Sequence, residues 1–410
     1  MLYRVLFHYF DRFLTEYESR FEKEYGFLRP IIKDVVERYL DCGNPRCGFA
    51  RIRCPSCGEE RFVMFSCRSR GFCPSCHAKR VEEWGEWMRE TLLLDVPHRQ
   101  VVFTIPKMLR IFFKYKRRLL GDLCQAAVQA LLKYLQATTS TELRAGIVAV
   151  IQTSGDRINF HAHLHLLVTE GGEDSEGRFH HLAEFEDRLL SEFFKREVFC
   201  LLLREELISE AMVEKIAGWR HSGFSVHSKV KAKTRKEAER VGKYMIRPVL
   251  SLERLSLSEK EGKVCYRYGE SPEEVERMDY LEFIARVTSH IPDKGQVTVR
   301  YYGLYGNAHR GKVRKAQMDK HPFIIIEEEC PRVPRRGWAE MIRKVYEVNP
   351  MACPKCQAEM RIIAFLTDYA VVDRIIAHLK LTFVAERPPP PHLVSQEFLM
   401  DSEAPADHFS

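Results

Sequence analysis

One segment near the middle of the chain, His161-Ala-His-Leu-His-Leu-Leu-Val168, strongly limits what this sequence can fold into. Side chains of a β-strand point alternately to two faces, so His161, His163 and His165 share one face and the apolar residues share the other. The apolar face predicts packing on a core. The histidine spacing allows His163 and His165 to bind one metal ion from a rigid strand. The alternative is a half-buried strand whose histidines have no common ligand.

The size and charge of the chain indicate several domains and an anionic partner. A chain of 410 residues exceeds one ordinary core, so roughly two to four domains are expected. The net charge is +7, and basic residues cluster at 114–118, 229–236 and 309–315. Such clusters favour contact with phosphate groups. We find neither a signal-peptide pattern nor an apolar run that could span a bilayer, so the sequence predicts a cytoplasmic protein without a membrane partner.

Cysteine spacing predicts structural zinc near the N-terminus. Seven of the thirteen cysteines lie between Cys42 and Cys76. Two Cys-Pro-Ser-Cys motifs are separated by fifteen residues, a spacing typical of zinc ribbons. We therefore expect one zinc ion to be bound by four cysteines, namely Cys54, Cys57, Cys73 and Cys76. The remaining candidates, Cys42 and Cys67 with Cys47 and His77, leave a second zinc site open.

The same segment is basic, which favours a DNA-binding surface shaped by zinc. Arg51, Arg53 and Arg68 are the arginines that we expect to contact DNA there. Near the other end, Cys353-Pro-Lys-Cys356 is a weaker signal. It is compatible with half a zinc site, completed by Cys330 or by another chain, or with a simple turn.

Alternating strands and helices predict an α+β fold with an antiparallel sheet. The segment 146–153 forms a strand that turns at 154–156 and pairs with the histidine strand. Further strands are predicted at 99–106, 224–230 and 297–302, and helices at 116–137, 182–217, 237–245, 271–289, 338–345 and 368–380.

A tyrosine on a basic helix suggests the chemistry that the histidines serve. Tyr244 lies among Lys243 and Arg247, and a tyrosine beside a divalent ion can attack a DNA phosphodiester. Two histidines leave such an ion under-coordinated. Gln152, on the preceding strand across a short hairpin, is our candidate third ligand, because an amide oxygen suits Mg²⁺ or Mn²⁺. His161 competes for that role. Arg300, beside two tyrosines, is a further candidate DNA contact.

Several ordered motifs resemble the zinc-binding rolling-circle transposases of the insertion-sequence ninety-one family, within the HUH single-strand endonucleases. The resemblance extends from about Cys42 to Leu381 and includes segments 48–57, 65–76, 161–168, 243–248, 253–255, 300–303, 353–356 and 360–365. It implies that His163 and His165 are the HUH histidines and that Tyr244 is the catalytic tyrosine. Many members carry a second tyrosine four residues earlier, where this chain has Arg240, so the chain is similar to a single-tyrosine variant.

The resemblance also implies a fold, and the patterns along the chain predict a division into domains. The expected fold is a central antiparallel sheet with the HUH histidines on a middle strand and the tyrosine on a neighbouring helix. The expected domains are a helical segment (1–40), a zinc-binding DNA-recognition domain (41–95), an HUH catalytic domain (96–337), a C-terminal module (338–385) and a disordered tail (386–410).

The function that this implies is a transposase that cleaves and rejoins single-stranded DNA at the ends of its element through a 5′-phosphotyrosine. The expected cofactors are structural Zn²⁺ and catalytic Mg²⁺ or Mn²⁺. The expected partner is single-stranded DNA at the element ends and at the target, and a homodimer is possible. The expected location of the protein is the nucleoid in the bacterial cytoplasm. An HUH replication initiator or relaxase would use the same chemistry. A zinc-dependent DNA-binding regulator would need no Tyr244, and a zinc hydrolase would need further His or Asp ligands that do not follow His165.

Overall fold

The fold is described from a computed structural model of the chain. The structure describes residues 1–67, 69, 71–139, 142–182, 184–219, 222–269, 271, 273–320, 349 and 351–378. The strands are β1 (Phe49–Arg53), β2 (Glu60–Met64), β3 (His98–Thr104), β4 (Gly146–Ser154), β5 (Phe160–Thr169), β6 (Gly171–Glu173), β7 (Phe179–His181), β8 (Ser225–Ala232), β9 (Leu255–Ser258), β10 (Lys263–Arg267), β11 (Val275–Asp279), β12 (Val299–Gly303) and β13 (Arg361–Leu366).

The helices fall between these strands. They are α1 (Leu2–Arg20), α2 (Glu22–Tyr25), α3 (Pro30–Leu40), α4 (Pro74–Trp87), α5 (Arg110–Tyr115), α6 (Leu119–Thr139), α7 (Asp187–Arg204), α8 (Glu210–Ala217), α9 (Arg235–Met245), α10 (Tyr280–Ser289) and α11 (Asn307–Lys320), followed by a last described helix at Tyr369–His378. A π-helical turn, Met88–Leu92, extends α4. Among the described residues, every helix is too short or too polar to span a bilayer.

A five-stranded antiparallel sheet forms the centre of the fold, which confirms the α+β prediction. Its strand order is β12-β4-β5-β3-β8, so the histidine strand β5 is the middle strand. The predicted apolar face of β5 is also confirmed, because Ala162, Leu164, Leu166 and Val168 are fully buried. They belong to a core that contains residues of α6 and α7. The histidines therefore point to the opposite face of the sheet.

That opposite face is partly covered by α4 and α9. Leu167 and Val148 pack with Trp84 and Met88 of the α4 segment and with Met245 of α9. His163 and His165 lie on this same face of the sheet, near α9.

The N-terminal helices pack on the second half of the chain. Residues of α1 and α3 share a core with residues of α10 and of the small sheet β11-β10-β9. A third sheet, with the order β13-β1-β2, joins the C-terminal segment to the cysteine-rich segment. The predicted domain boundaries stay predictions.

Two predicted helices differ from the structure. The helix predicted at 182–217 is divided into α7 and α8, because Glu206 adopts a left-handed φ of 55° and Ser209 caps the next helix. The first part of the helix predicted at 271–289 is instead strand β11, and Asp279 caps α10 by accepting the backbone N–H of Leu281 and Glu282. The predicted helix at 338–345 and the predicted disordered tail lie outside the described residues.

A buried histidine links α10 to the hairpin that carries the site. His290 is 6% exposed, and its two ring nitrogens lie 3.1 Å from Oγ1 of Thr153 and 3.0 Å from the carbonyl oxygen of Ile158. Ile158 has a left-handed φ of 57°, so this contact holds a backbone conformation that a β-branched residue rarely adopts. Burial and the nearby charge of Arg117 lower the pKa of His290 to about 4, although the hydrogen bond to Ile158 opposes the shift.

We expect His290 to make the folded state sensitive to acid. Its pKa is lower in the folded chain than the ordinary value near 6.5, so the unfolded chain binds the proton first as the pH falls. The stabilisation is complete above about pH 6.5 and is lost progressively towards pH 4, by about 2 kcal/mol at pH 5. The free energy of unfolding, measured with urea at pH 7.5 and pH 5, should differ less between the two pH values in His290→Gln than in wild type. The exposed-histidine variant His227→Gln should leave that difference unchanged.

Candidate metal centre and nucleophile

Sheet register places the HUH histidines beside residues of both neighbouring strands. His163 lies opposite Gln152 of β4 and Thr104 of β3, and His165 lies opposite Val150 and Val102. The ring centroids of His163 and His165 are 5.0 Å apart. Directly opposite residues in an antiparallel pair share a face, so Gln152 lies on the histidine side of the sheet.

The hydrogen bonds of His163 and His165 use Nδ1 of each ring. Nδ1 of His163 lies 2.8 Å from the backbone carbonyl oxygen of His161 and donates to it, which leaves Nε2 as a lone-pair donor. Nδ1 of His165 lies 2.9 Å from the amide nitrogen of Gln100 and accepts from it, so neutral His165 carries its proton on Nε2, which is buried without a partner in the described structure. Rotation of the Gln100 amide by half a turn would place its oxygen at Nδ1 and free Nε2 of His165 for a metal ion, as in His163.

The surroundings keep all three imidazoles neutral, which is the form that binds metal. Burial lowers the pKa of His165 to about 3 and the pKa of His161 to about 4, and it also lowers the pKa of His163. The positive charge of Arg247 contributes at His163 and His165, and that of Arg110 contributes at His161 and His163. Two guanidinium groups therefore flank the histidines and would attract an anion.

Gln152 connects the sheet to the end of α9. It is 9% exposed, and its amide nitrogen donates a hydrogen bond to the backbone carbonyl of Met245. The amide oxygen, the atom that can bind a metal ion, is the other arm of the same planar group. Gln152 thus holds the helix end directly after Tyr244 against the strand beside His163.

Tyr244 lies next to the histidines on the exposed side of α9. Its ring is 51% exposed and meets the ring of His165 edge to face, with centroids 6.4 Å apart. Nη1 of Arg247 donates to the phenolic oxygen at 3.1 Å, and the guanidinium carbon lies 4.7 Å from the ring centroid. The structure therefore brings together Tyr244, Arg247, Gln152 and the two HUH histidines.

Lys243 and Arg300, both predicted to contact DNA, lie elsewhere. Nζ of Lys243 is 2.7 Å from Glu82 and 2.8 Å from Glu239, so its charge is paired between α4 and α9 and does not face Tyr244. Arg300 packs beside Gly121 of α6, on the sheet face opposite the histidines. Arg240 is exposed one helical turn before Tyr244.

The arginines of the cysteine-rich segment lie on its small sheet. Arg51 forms a two-point ion pair with Glu60, with hydrogen bonds of 2.8 and 2.9 Å, and Arg53 lies 3.7 Å from the same carboxylate. Arg68 lies outside the described residues. The predicted DNA contacts of Arg51 and Arg53 stay predictions.

The cysteines form two clusters, and neither is the predicted set. Cys54 and Cys57 are not grouped with Cys73 and Cys76. In the first cluster, sulfur atoms that could hold one metal ion come from Cys42, Cys67, Cys73 and Cys76. In the second cluster they come from Cys54, Cys57, Cys353 and Cys356. The prediction paired the two nearest motifs, but β1 pairs with β13 and brings the distant C-terminal motif to the first one.

The first cluster is continuous with the helix that packs against α9. Its sulfur–sulfur distances include 3.5 Å between Cys67 and Cys76 and 3.8 Å between Cys73 and Cys42. Cys73 precedes α4 and Cys76 lies in its first turn. The next residue, His77, places Nε2 at 2.6 Å from the backbone carbonyl oxygen of Ile246. His77 is therefore an anchor for the tyrosine helix and does not belong to the cluster.

Two residues of the site were missed by the sequence analysis. Gln100 contacts His165 from β3, and Arg110 flanks His161 from α5. Gln100 lies in a segment that was predicted as a strand, but only the register of β3 against β5 shows which of its residues share the histidine face. Nothing in the sequence near Arg110 distinguishes it from other arginines.

Comparisons with known proteins agree with this arrangement. The family model described as "Transposase zinc-binding domain" matches residues 10–105, and the one described as "Putative transposase" matches residues 146–312. The first range contains the first cysteine cluster. The second contains Gln152, the HUH histidines and Tyr244. The motif Cys353–Cys356 lies beyond both ranges.

Two curated relatives span most of the chain. The transposase for insertion sequence element IS801 of Pseudomonas savastanoi pv. phaseolicola is 27% identical over 373 residues, which cover 85% of this chain and 87% of the relative. A protein described as "Putative transposase y4qJ" of Sinorhizobium fredii (strain NBRC 101917 / NGR234) is 28% identical over 380 residues, 86% of this chain and 94% of the relative. No solved structure matches the chain. The zinc-binding match and the transposase match follow one another in the same order as the site residues, so over most of its length the chain is similar to the transposases of the insertion-sequence ninety-one family.

Proposed function

We propose that this transposase cleaves and rejoins single-stranded DNA at the ends of its element, with Tyr244 as the nucleophile. The observation that supports this most directly is the position of Tyr244, whose ring contacts His165 while its hydroxyl accepts a hydrogen bond from Arg247. A nucleophile, a cation and a pair of neutral imidazoles then meet at one exposed surface. That set suits attack on a phosphodiester.

The proposed step conserves the phosphodiester bond energy. The phenolic oxygen of Tyr244 gives up its proton to water and attacks phosphorus, the bond from phosphorus to the 3′ oxygen breaks, and the leaving oxygen takes up a proton from water to give a free 3′-OH. The product is a 5′-phosphotyrosine, and attack by another 3′-OH reverses the step and joins strands. A divalent ion bound by His163, His165 and Gln152 would polarise the scissile phosphate. A single strand can bend sharply at this surface, whereas a duplex resists bending.

Two arginines are suited to hold the DNA backbone. Arg247 lies just after α9 and Arg110 begins α5, and the positive charges of both act on His163. Guanidinium groups bind phosphate with fixed geometry, so both side chains are suited to a phosphate placed at the histidines. We infer that Arg247 and Arg110, and not Lys243, supply the positive charge at the reacting phosphate.

The structural metal and the wider assembly complete the proposal. Zinc in the N-terminal domain would fix the surface that carries Arg51 and Arg53 and recognises the element ends. A single catalytic tyrosine implies that two strand transfers require reuse of Tyr244 or a second protomer, so a homodimer remains part of the proposal. The substrate would be met at the nucleoid in the bacterial cytoplasm.

The third metal ligand can be tested together with metal-dependent cleavage. We expect Gln152→Ala to weaken Mn²⁺ binding by at least about tenfold, since loss of even an outer partner of a metal ligand costs that much. Cleavage of labelled single-stranded oligonucleotides from the element ends should fall in parallel. His161→Ala should change neither the Mn²⁺ affinity nor the cleavage. Among the described residues, the ring nitrogens of His161, His163 and His165 do not come close enough together to bind one metal ion.

A matched variant separates metal binding from the contact with α9. Gln152→Glu retains an oxygen ligand but cannot donate to the carbonyl of Met245, so Mn²⁺ affinity should be kept. Isothermal titration of each variant with Mn²⁺ gives the affinities. A loss of affinity in His161→Ala alone would assign the third ligand to His161 and contradict the proposal.

A further inference from the structure

The two Cys-Pro-x-Cys loops of the second cluster have the same backbone conformation. In each loop, the N–H of the first cysteine donates to the carbonyl five residues later: Cys54 to Glu59 at 2.8 Å, and Cys353 to Ala358 at 2.9 Å. The carbonyl of the first cysteine accepts the N–H four residues later, from Gly58 in one loop and from Gln357 in the other. Two segments far apart in sequence therefore form one kind of turn twice.

The fifth residue of each loop adopts the left-handed conformation. Gly58 has a φ of 73°, and Gln357 has a φ of 60°. Glycine takes this conformation readily, but glutamine does so at a cost of roughly 1–2 kcal/mol. The turn at Gln357 is strained, yet it repeats the geometry of the relaxed turn at Gly58. This repetition indicates that the fold maintains the positions of the two sulfur atoms in each loop.

The four sulfur atoms have the spacing of a tetrahedral thiolate site. Sulfur–sulfur distances are 3.5 Å for Cys54 with Cys356, for Cys57 with Cys353 and for Cys57 with Cys356. Zn–S bonds of about 2.3 Å place the sulfurs of a tetrahedron roughly 3.8 Å apart, so four thiolates fit without rearrangement. Each loop contributes two sulfurs, and the loops face each other across the paired strands β1 and β13.

The surroundings favour this closed arrangement of the loops. Cys54 and Cys353 are buried and share a small core with Ile52 and Met360. Nζ of Lys355 in one loop lies 2.6 Å from the carboxylate of Glu59 in the other. The small core and the ion pair hold the loops in register, and lysine adds positive charge beside a site that would carry excess negative charge from four thiolates.

We propose that Cys54, Cys57, Cys353 and Cys356 bind a second structural zinc ion, which fastens the C-terminal segment to the N-terminal zinc-binding domain. The site lies partly beyond the residues that the zinc-binding family model matches. It is also separate from the proposed catalytic centre. A zinc ion in the second cluster and the pairing of β13 with β1 would together join distant parts of the chain, since Cys54 and Cys356 are 302 residues apart in sequence.

Thiol reactivity of the wild-type protein tests the site without a substitution. Cys57 and Cys356 are exposed, so in the absence of metal they should react with N-ethylmaleimide as quickly as the exposed cysteines Cys47 and Cys200. We expect Cys57 and Cys356 to be protected in the purified full-length chain and to become reactive together on treatment with a zinc chelator. Labelling of Cys57 and Cys356 at the rate of Cys200 in untreated protein would overturn the proposal.

Zinc content of variants gives a second, independent test. Wild-type protein should contain two zinc ions per chain by elemental analysis, one for each cluster. The double variant Cys353→Ser/Cys356→Ser should contain one, and the control Cys200→Ser should contain two. In the double variant, trypsin should cleave earlier around Arg361, while the core of the central sheet stays protected. Retention of two zinc ions in the double variant would overturn the proposal even if catalysis by Tyr244 were established.

Discussion

Tyr244→Phe is expected to form no covalent adduct with single-stranded DNA from the element ends and to lose strand cleavage by at least about 10³-fold. Without the hydroxyl, the attack on phosphorus is lost and no neighbouring group replaces it. Substitutions that remove a nucleophile are known to cause losses of this size or larger. Phenylalanine keeps the ring that packs beside His165 and removes only the hydroxyl that accepts from Arg247. The fold should therefore be unchanged.

The measurement uses labelled oligonucleotides, Mg²⁺ or Mn²⁺ and denaturing gels. Wild type should give a band in which the label of the 5′-phosphate fragment migrates with the protein. Tyr115→Phe is the matched control, because Tyr115 has a similar exposure of 47% and its hydroxyl donates to the backbone carbonyls of Lys23 and Glu24 in α2. An adduct of normal yield in Tyr244→Phe would assign the nucleophile to another residue.

Local sequence patterns predicted the part of the site whose geometry is set within one β-strand, one hairpin or one helix. Alternation in β5 predicted both faces of the strand, and the spacing from Gln152 to His163 predicted a hairpin that places them together. Both follow from backbone geometry over a few residues. The face of α9 was not predictable in this way. Lys243 is adjacent to Tyr244 in sequence and Arg247 is three residues away, yet Glu82 and Glu239 pair with Lys243 on the side towards α4, and Arg247 is the cation that bonds the tyrosine hydroxyl.

Long-range pairing explains the wrong zinc set. Motif spacing assigns Cys54 and Cys57 to the nearest similar motif, and it contains no information on the pairing of β1 with β13. When that sheet forms, Cys353 and Cys356 of the C-terminal loop lie beside Cys54 and Cys57, where the prediction had placed Cys73 and Cys76. Those two cysteines complete the first cluster with Cys42 and Cys67. The sequence therefore predicted the kind of site but not its membership.

The first cluster leads to a second large expected effect, because it supports the tyrosine helix. Gly242 of α9 packs against the α4 segment, since a Cβ added there would lie 3.1 Å from the ring of Trp84 and would displace the end of Met88, and a Cβ added at Gly85 would displace the end of Lys243. The buried carboxylate of Glu239 on α9 bonds Arg89, just beyond α4, at 3.2 Å. His77 then holds the carbonyl of Ile246, two residues after Tyr244. A shift of α4 would thus be transmitted directly to the nucleophile.

We expect Cys73→Ser/Cys76→Ser to lose one zinc ion and to form the DNA adduct about 100-fold more slowly, because a displacement of about 1 Å at a reacting group has an effect of that size. The matched control is Cys353→Ser/Cys356→Ser, which removes the same number of thiolates from the cluster remote from α9. With single-stranded DNA at saturating concentration it should retain the rate of adduct formation within roughly a few-fold, because this cluster is attached to the sheet β13-β1-β2 and not to α4 or α9. Equal losses in the two double variants would contradict a specific link between the first cluster and Tyr244.

His77→Ala separates this link from general unfolding. The variant keeps all four sulfurs of the first cluster, so its zinc content and its affinity for single-stranded DNA should equal those of wild type. Only the contact with Ile246 is lost, and the rate of adduct formation should fall by roughly tenfold, as for loss of a residue that orients a reacting group. A purely structural histidine would instead lower stability and DNA affinity together. A normal adduct rate in His77→Ala would show that the contact with Ile246 does not position Tyr244, because the hydrogen bond from Gln152 to Met245 and the ion pair of Arg89 with Glu239 remain in the variant.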